Sequence, residues 1–182
     1  MGEPNHTADV LVIGAGPAGC TAALYAARSR LKTVITSPTE LAGMMARATR
    51  VANFPGQIEP TAGRELLARI RRQALDAGAE AVLESVTAVD FSDPEALVVY
   101  GGRQEHRVGA VIVATGAMGR AAKLPGEEEF TGRGVCYCAA CDGPFFAGED
   151  ILVVGEDMQA VEEAVTLSQI ARAVTLVLPS ET

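Results

Sequence analysis

Asp9-Val10-Leu11-Val12-Ile13, followed at once by Gly14-Ala15-Gly16-Pro17-Ala18-Gly19, is the stretch on which the fold turns. Four apolar, mostly β-branched residues in a row predict a strand over 9–13. The small residues after Pro17 predict a helix to about 29, with proline at an N-terminal position that costs no hydrogen bond, and 32–36 predicts a second strand. Strand, glycine turn, helix, strand is a βαβ unit, and so the opening of a parallel, three-layer α/β fold of Rossmann type. Gly14 permits the sharp turn, Gly16 lets a pyrophosphate reach the backbone, and Gly19 lets the helix pack on the strand. Pro17 and Ala18 begin a helix whose free N–H groups attract phosphate. The alternative is a glycine turn with no ligand. The acidic ribose partner expected about 20 residues on is absent: Thr36 and Ser37 stand there.

Working outward, 37–63 shows no sustained period and reads as a long surface excursion, whereas 64–77 carries Leu66, Leu67, Ile70 and Leu75 at helical spacing, with Gly78 as its stop. Short β-type runs follow at 81–84, 86–91, 96–100 and 108–114. Residues 117–134 read as a linker. A second βαβ begins after it, with a strand over 151–154, a turn over 155–159, a helix to about 170 and a strand over 174–178. Two dinucleotide-type openings predict two domains, 1–117 and 118–182, the second only begun.

The chain has 182 residues, 48% of them apolar, which is enough for a packed core. Its net charge of −8 opposes binding to nucleic acid or to an anionic membrane surface. The charge-free run 10–27 has the length of a marginal membrane span, but its glycines and Pro17 divide it into strand and helix, and no basic region precedes it. A cytoplasmic protein is expected. Cysteines 20, 136, 138 and 141 do not make a disulfide framework; in a reducing compartment they point to redox chemistry or metal. Cys138-Ala139-Ala140-Cys141 at a helix start can close a reversible disulfide and exchange it with another dithiol, and Asp142 can supply or take the proton as a thiol leaves. Zinc would need four ligands, and no second pair of Cys or His accompanies this one, so no metal is expected. Cys136 reads as a packing or incidental residue, Cys20 as core.

These residues carry a family resemblance. Gly14-x-Gly16-Pro17-Ala18-Gly19, Asn53-Phe54-Pro55-Gly56, Ala114-Thr115-Gly116-Ala117, and above all 132–143 with Cys138 and Cys141, resemble the low-molecular-weight, bacterial-type thioredoxin reductases from residue 9 to the last. The resemblance implies that FAD lies on the first glycine turn and along 37–44, from Ser37 to Gly43 and Met44. It places Asn53, Thr115 and Gly116 on the flavin side, makes Cys138 and Cys141 the pair that exchanges electrons with the flavin, and makes Asp142 the acid. It implies a protein disulfide such as that of a thioredoxin as partner.

Three departures stand out. The family's Gly-Gly-Gln reads Ala42-Gly43-Met44. The NADPH turn reads Gly155-Glu156-Asp157-Met158-Gln159-Ala160, and the arginine-rich segment after the next strand reads Leu178-Pro179-Ser180-Glu181. The remainder of the family's NADPH domain, and its return to the flavin domain, do not follow. NADPH is therefore a doubtful donor and the electron donor is unknown. A truncated or degenerate relative, non-catalytic but able to bind a nucleotide or a partner, is the competing expectation; a homodimer stays open. A short-chain NAD dehydrogenase is disfavoured because Tyr25, Tyr100 and Tyr137 are followed four places on by Ser29, Gln104 and Cys141 rather than by lysine.

Overall fold

The computed structural model describes residues 7–94, 96–102, 104–116 and 124–178. Ala117 of the Ala114 motif, Pro179, Ser180 and Glu181 lie outside the described residues. The chain divides into two compact units, Met1–Ala52 with Ile58–Ala122, and Asn53–Gln57 with Lys123–Thr182.

The first unit runs β1 (Ala8–Ile13), α1 (Pro17–Arg28), β2 (Thr33–Ser37), α2 (Met44–Arg47), α3 (Gly63–Asp76), β3 (Glu80–Leu83), β4 (Val86–Asp90), β5 (Leu97–Gly101) and β6 (Glu105–Val113). Its sheet has the order β3-β2-β1-β6-β5-β4. β3, β2, β1 and β6 are parallel, and β5 and β4 extend the sheet as an antiparallel meander. The continuous apolar run of β1 follows from its central place: Leu11 and Val12 are fully buried and neighbour Val34 and Ile35 of β2 on one side and Val111 and Ile112 of β6 on the other. The charge-free run 10–27 is thus divided between β1 and α1, and among the described residues no helix is long and apolar enough to cross a membrane. α1 buries Gly19, Cys20, Ala23 and Ala27, a stripe of small side chains that permits close approach, and α3 buries Leu66, Leu67, Ile70 and Ala74 on one face. Gly78 ends α3 at φ +105°, as its stop position requires.

The second unit contains α4 (Glu127–Phe130), α5 (Ala139–Asp142), a 3-10 turn (Gly143–Phe146), β7 (Asp150–Val154), α6 (Met158–Leu167) and β8 (Ala173–Val177), with β7 and β8 parallel. The expected linker therefore holds a short helix and a bridge between Thr131 and Val135. The expected excursion after β2 holds α2 and a bridge between Val51 and Thr61. Both differences have one cause: a single helical turn or an isolated bridge spans too few residues to leave a period in the sequence.

Candidate functional site

The first candidate site sits at the carboxyl ends of three neighbouring parallel strands. Gly14 N–H donates to Thr36 O at 2.9 Å and Ala114 N–H to Ile13 O at 2.9 Å, so the glycine turn, the end of β2 at Ser37 and the Ala114-Thr115-Gly116 segment after β6 are held side by side. In open α/β sheets this edge is where ligands bind.

The three glycines of the turn are not equivalent. Gly14 has φ +112°, and a Cβ there would lie 2.3 Å from Ala114 O. A Cβ on Gly19 would lie 1.9 Å from Gly14 O. Both are demanded by the fold. Gly16 has φ −74° and ψ −177°, backbone open to any residue, and a Cβ there would meet nothing within 4 Å. The fold does not need that glycine; its missing side chain leaves bare backbone facing open space at the start of α1. No side chain caps α1 and no acidic residue stands in its first turn, so the first amides and the positive end of the helix remain available to an anion. Such a cradle fits a dinucleotide pyrophosphate.

Of the other residues singled out, Ser37 is buried at the end of β2, and Thr36 Oγ1 donates to Val12 O at 3.4 Å. Gly43, at φ +88°, precedes α2, and Met44 opens that helix with its side chain exposed. Thr115 and Gly116 are exposed beyond β6. Asn53 is exposed and belongs to the second unit. Cys20 is fully buried, its thiol donating to Ala15 O at 3.3 Å, and burial pushes that thiol above the ordinary range despite the opposing charge of Arg71.

In the second unit Cys138 and Cys141 are joined by a disulfide across Cα atoms 5.2 Å apart. Cys138 stands at the N-cap of α5 in extended conformation, which turns its side chain back over the helix start, and Cys141 N–H donates to Cys138 Sγ at 3.2 Å. Cys141 is exposed and Cys138 half-buried. Asp142, half-buried, has its carboxyl raised above the usual range by burial, partly opposed by a hydrogen bond from the Cys136 thiol. That thiol is pushed up to about 11 by burial and by the Asp142 carboxylate beside it. Cys136 is exposed as a residue and so is not a core packing residue, while its sulfur is partly shielded beside the candidate acid. Among the described residues no group of three or more His, Cys, Asp or Glu is arranged to hold a metal ion.

Two residues in this unit escaped the sequence reading. Glu127 is buried, with Oε1 accepting from Tyr137 Oη at 2.8 Å and Oε2 from Leu124 N–H at 2.7 Å, which ties the residue before Cys138 to α4. Glu163 of α6 accepts the Ala139 N–H at 3.2 Å. The Glu127–Tyr137 and Glu163–Ala139 contacts join residues ten or more positions apart, and no local pattern announces them.

The second βαβ turn differs from the first. Asp157 is the N-cap of α6 and its Oδ1 accepts from Ala160 N–H at 2.9 Å, while a Cβ on Gly155 would lie 2.6 Å from the Ala160 Cβ.

Comparison with known proteins agrees with these features. Residues 8–181 match the family described as pyridine nucleotide-disulphide oxidoreductase. The chain is 45% identical over 180 residues to a thioredoxin reductase of Aquifex aeolicus, a match covering 98% of this chain and 55% of that protein. It is 47% identical over 169 residues to one of Mycolicibacterium smegmatis, covering 93% and 54%. Among solved structures, the thioredoxin reductase of Streptococcus pyogenes superposes with a TM-score of 0.85 at 40% identity, over 95% of this chain and 56% of that one. The chain therefore spans about half the length of the relatives it matches. With the family match running from the first strand to the last, this chain belongs to the pyridine nucleotide-disulphide oxidoreductase family.

Proposed function

We propose that this chain is a thioredoxin-reductase-like flavoprotein, in which residues 1–117 hold FAD and 118–182 carry the dithiol that reduces a protein disulfide such as that of a thioredoxin in the cytoplasm. The observation that carries the reading is the half-exposed Cys138–Cys141 disulfide beside a carboxyl whose proton affinity is raised. FAD is the cofactor typical of the family, and the bare backbone at Gly16 supports its placement on the first turn, with Ser37, Gly43, Met44, Thr115 and Gly116 of the same unit as its further contacts. When bound, FAD supplies a two-electron couple that can reduce a disulfide.

The chain's own residues then account for exchange. The disulfide takes up two electrons and two protons and opens to two thiols. One of them, as thiolate, attacks a sulfur of the partner's disulfide; that S–S bond breaks and a mixed disulfide forms. The second thiolate attacks the first cysteine's sulfur, which closes Cys138–Cys141 again and releases the partner as a dithiol. Asp142, whose proton affinity is raised by burial, is suited to protonate a departing thiolate. NADPH is a poor donor in this reading. Asp157 occupies with its own carboxylate an amide of the α6 first turn that a pyrophosphate would otherwise face.

The visible spectrum of protein purified without added cofactor tests the reading. Flavin bands are expected, together with thiol titration that gains two thiols from Cys138 and Cys141 on reduction. A colourless protein with ordinary thiols would overturn it in favour of a non-catalytic remnant.

A further inference from the structure

We propose that Glu163 is a positioning residue for the dithiol: by accepting the backbone N–H of Ala139, it anchors the segment that starts at Cys138 and keeps a negative charge beside that sulfur. The inference rests on the dithiol reading above. Glu163 Oε2 accepts the Ala139 N–H at 3.2 Å, and its other oxygen accepts from Gln159 Nε2 at 3.2 Å, so both carboxylate oxygens are engaged and the group is held in place. Ala139 is itself buried. Two backbone amides lie close to the Cys138 sulfur along the chain. One, Cys141 N–H, points at it at 3.2 Å; the other, Ala139 N–H, is claimed by Glu163.

Opening the disulfide changes what this arrangement does. A Cys138 thiolate gains the Cys141 amide but faces a fixed carboxylate at the next residue, and a like charge at short range disfavours the ionised form. Glu163 thus raises the proton affinity of the Cys138 thiol above what the same segment would have without the charge. α5 packs against α6 and the 3-10 turn. The 3-10 turn Gly143-Pro144-Phe145-Phe146 carries no titratable side chain. Besides Glu163, α6 carries Glu162, which is exposed, with Asp157 at its cap bonded to Ala160 N–H. On the near side stand Asp142 with Cys136, and Tyr137 with Glu127. Of these carboxylates, Glu163 is the one bonded to the amide next to Cys138.

Glu163→Gln separates charge from anchor, because the amide oxygen still accepts the Ala139 N–H. Reduced protein is alkylated with iodoacetamide across pH 5–10, and label on Cys138 is read by peptide mass spectrometry. In the Gln variant the midpoint for Cys138 falls by about one pH unit, so labelling below the midpoint runs roughly tenfold faster. Glu163→Ala removes charge and anchor together and moves the midpoint in the same direction, so it reads the effect should the Gln variant fold poorly. A midpoint that coincides with the wild type in a folded variant overturns the proposal. Neither flavin nor thioredoxin enters the measurement, so failure here is distinct from a failure of the flavoprotein reading, which the visible spectrum reports.

Discussion

In the first unit α1 starts at Gly16 with no side chain on its first amides; in the second, α6 starts at Asp157, whose carboxylate closes on Ala160 N–H at 2.9 Å. Both turns keep the glycines their packing demands. Gly14 and Gly19 would clash with backbone, and Gly155 with the Ala160 side chain. At the position that packing leaves free in the first turn, the first has glycine and the second aspartate. A βαβ turn thus carries two separable requirements: close packing of helix on strand, which both turns meet, and an open helix end for an anion, which the first alone meets.

Replacing Gly16 with leucine tests the separation most severely. Because φ −74° suits any residue and a Cβ meets nothing within 4 Å, Gly16→Leu folds normally, yet its side chain fills the space a pyrophosphate needs, and bound flavin is lost entirely. Absorbance after purification, beside a circular dichroism melt, reads both halves. A variant that keeps its full flavin content breaks the comparison.

Asp157→Gly is the converse. A unit charge about 4 Å from a phosphate costs on the order of 4 kcal/mol at an effective dielectric near 20, so its removal improves NADPH affinity by up to roughly a thousandfold. The lost cap costs the helix only a few tenths of a kcal/mol, since Gly is itself tolerated at an N-cap. Calorimetric titration of both proteins with NADPH measures the gain; equal affinities would show that Asp157 is not the obstacle.

The packing requirement is probed by Gly14→Ala and Gly19→Ala. Forcing a Cβ against backbone oxygens at 2.3 and 1.9 Å requires the turn to shift, which costs roughly 1–3 kcal/mol. Urea denaturation should show the midpoint fall in both variants, with Gly16→Ala near the wild type.

The fold was largely legible because its signals are local. The β1 run, the small-residue helix and the α3 stripe each repeat over enough residues to show a period, and the glycine spacing ties strand to helix. The Cys138–Cys141 pairing was legible for the same reason, the two cysteines being three apart. Less legible were the groups that surround it. Glu163 reaches Ala139 from 24 residues away, Glu127 reaches Tyr137 from ten, and the Cys136 thiol meets Asp142 only because α5 folds the chain back. Side-chain hydrogen bonds between elements leave no periodicity behind, so a sequence displays a closely spaced cysteine pair more readily than the groups that surround it.

One further parallel links the two units and carries the smallest expected effect. Near the start of each first strand an aspartate reaches the start of the next: Asp9 Oδ2 accepts the Lys32 N–H at 2.6 Å, and Asp150 accepts from the Arg172 guanidinium at 2.8 and 2.5 Å. The first partner is a neutral amide and the second a cation, and the Arg172 hydrogen bond holds the Asp150 carboxyl below its ordinary range. With the folded value below the unfolded one, the unfolded chain binds the proton first as pH falls. The stabilisation is therefore present above the ordinary carboxylate range and is lost as pH drops through the lowered value. Both side chains are exposed, so salt screens the pair and its contribution is slight. Melting temperatures of wild type and Asp150→Asn across pH 2–7 should differ a little at neutral pH in low salt and converge in acid. A gap that persists at pH 2, or is unaffected by high salt at neutral pH, would show that Asp150 acts through packing rather than charge.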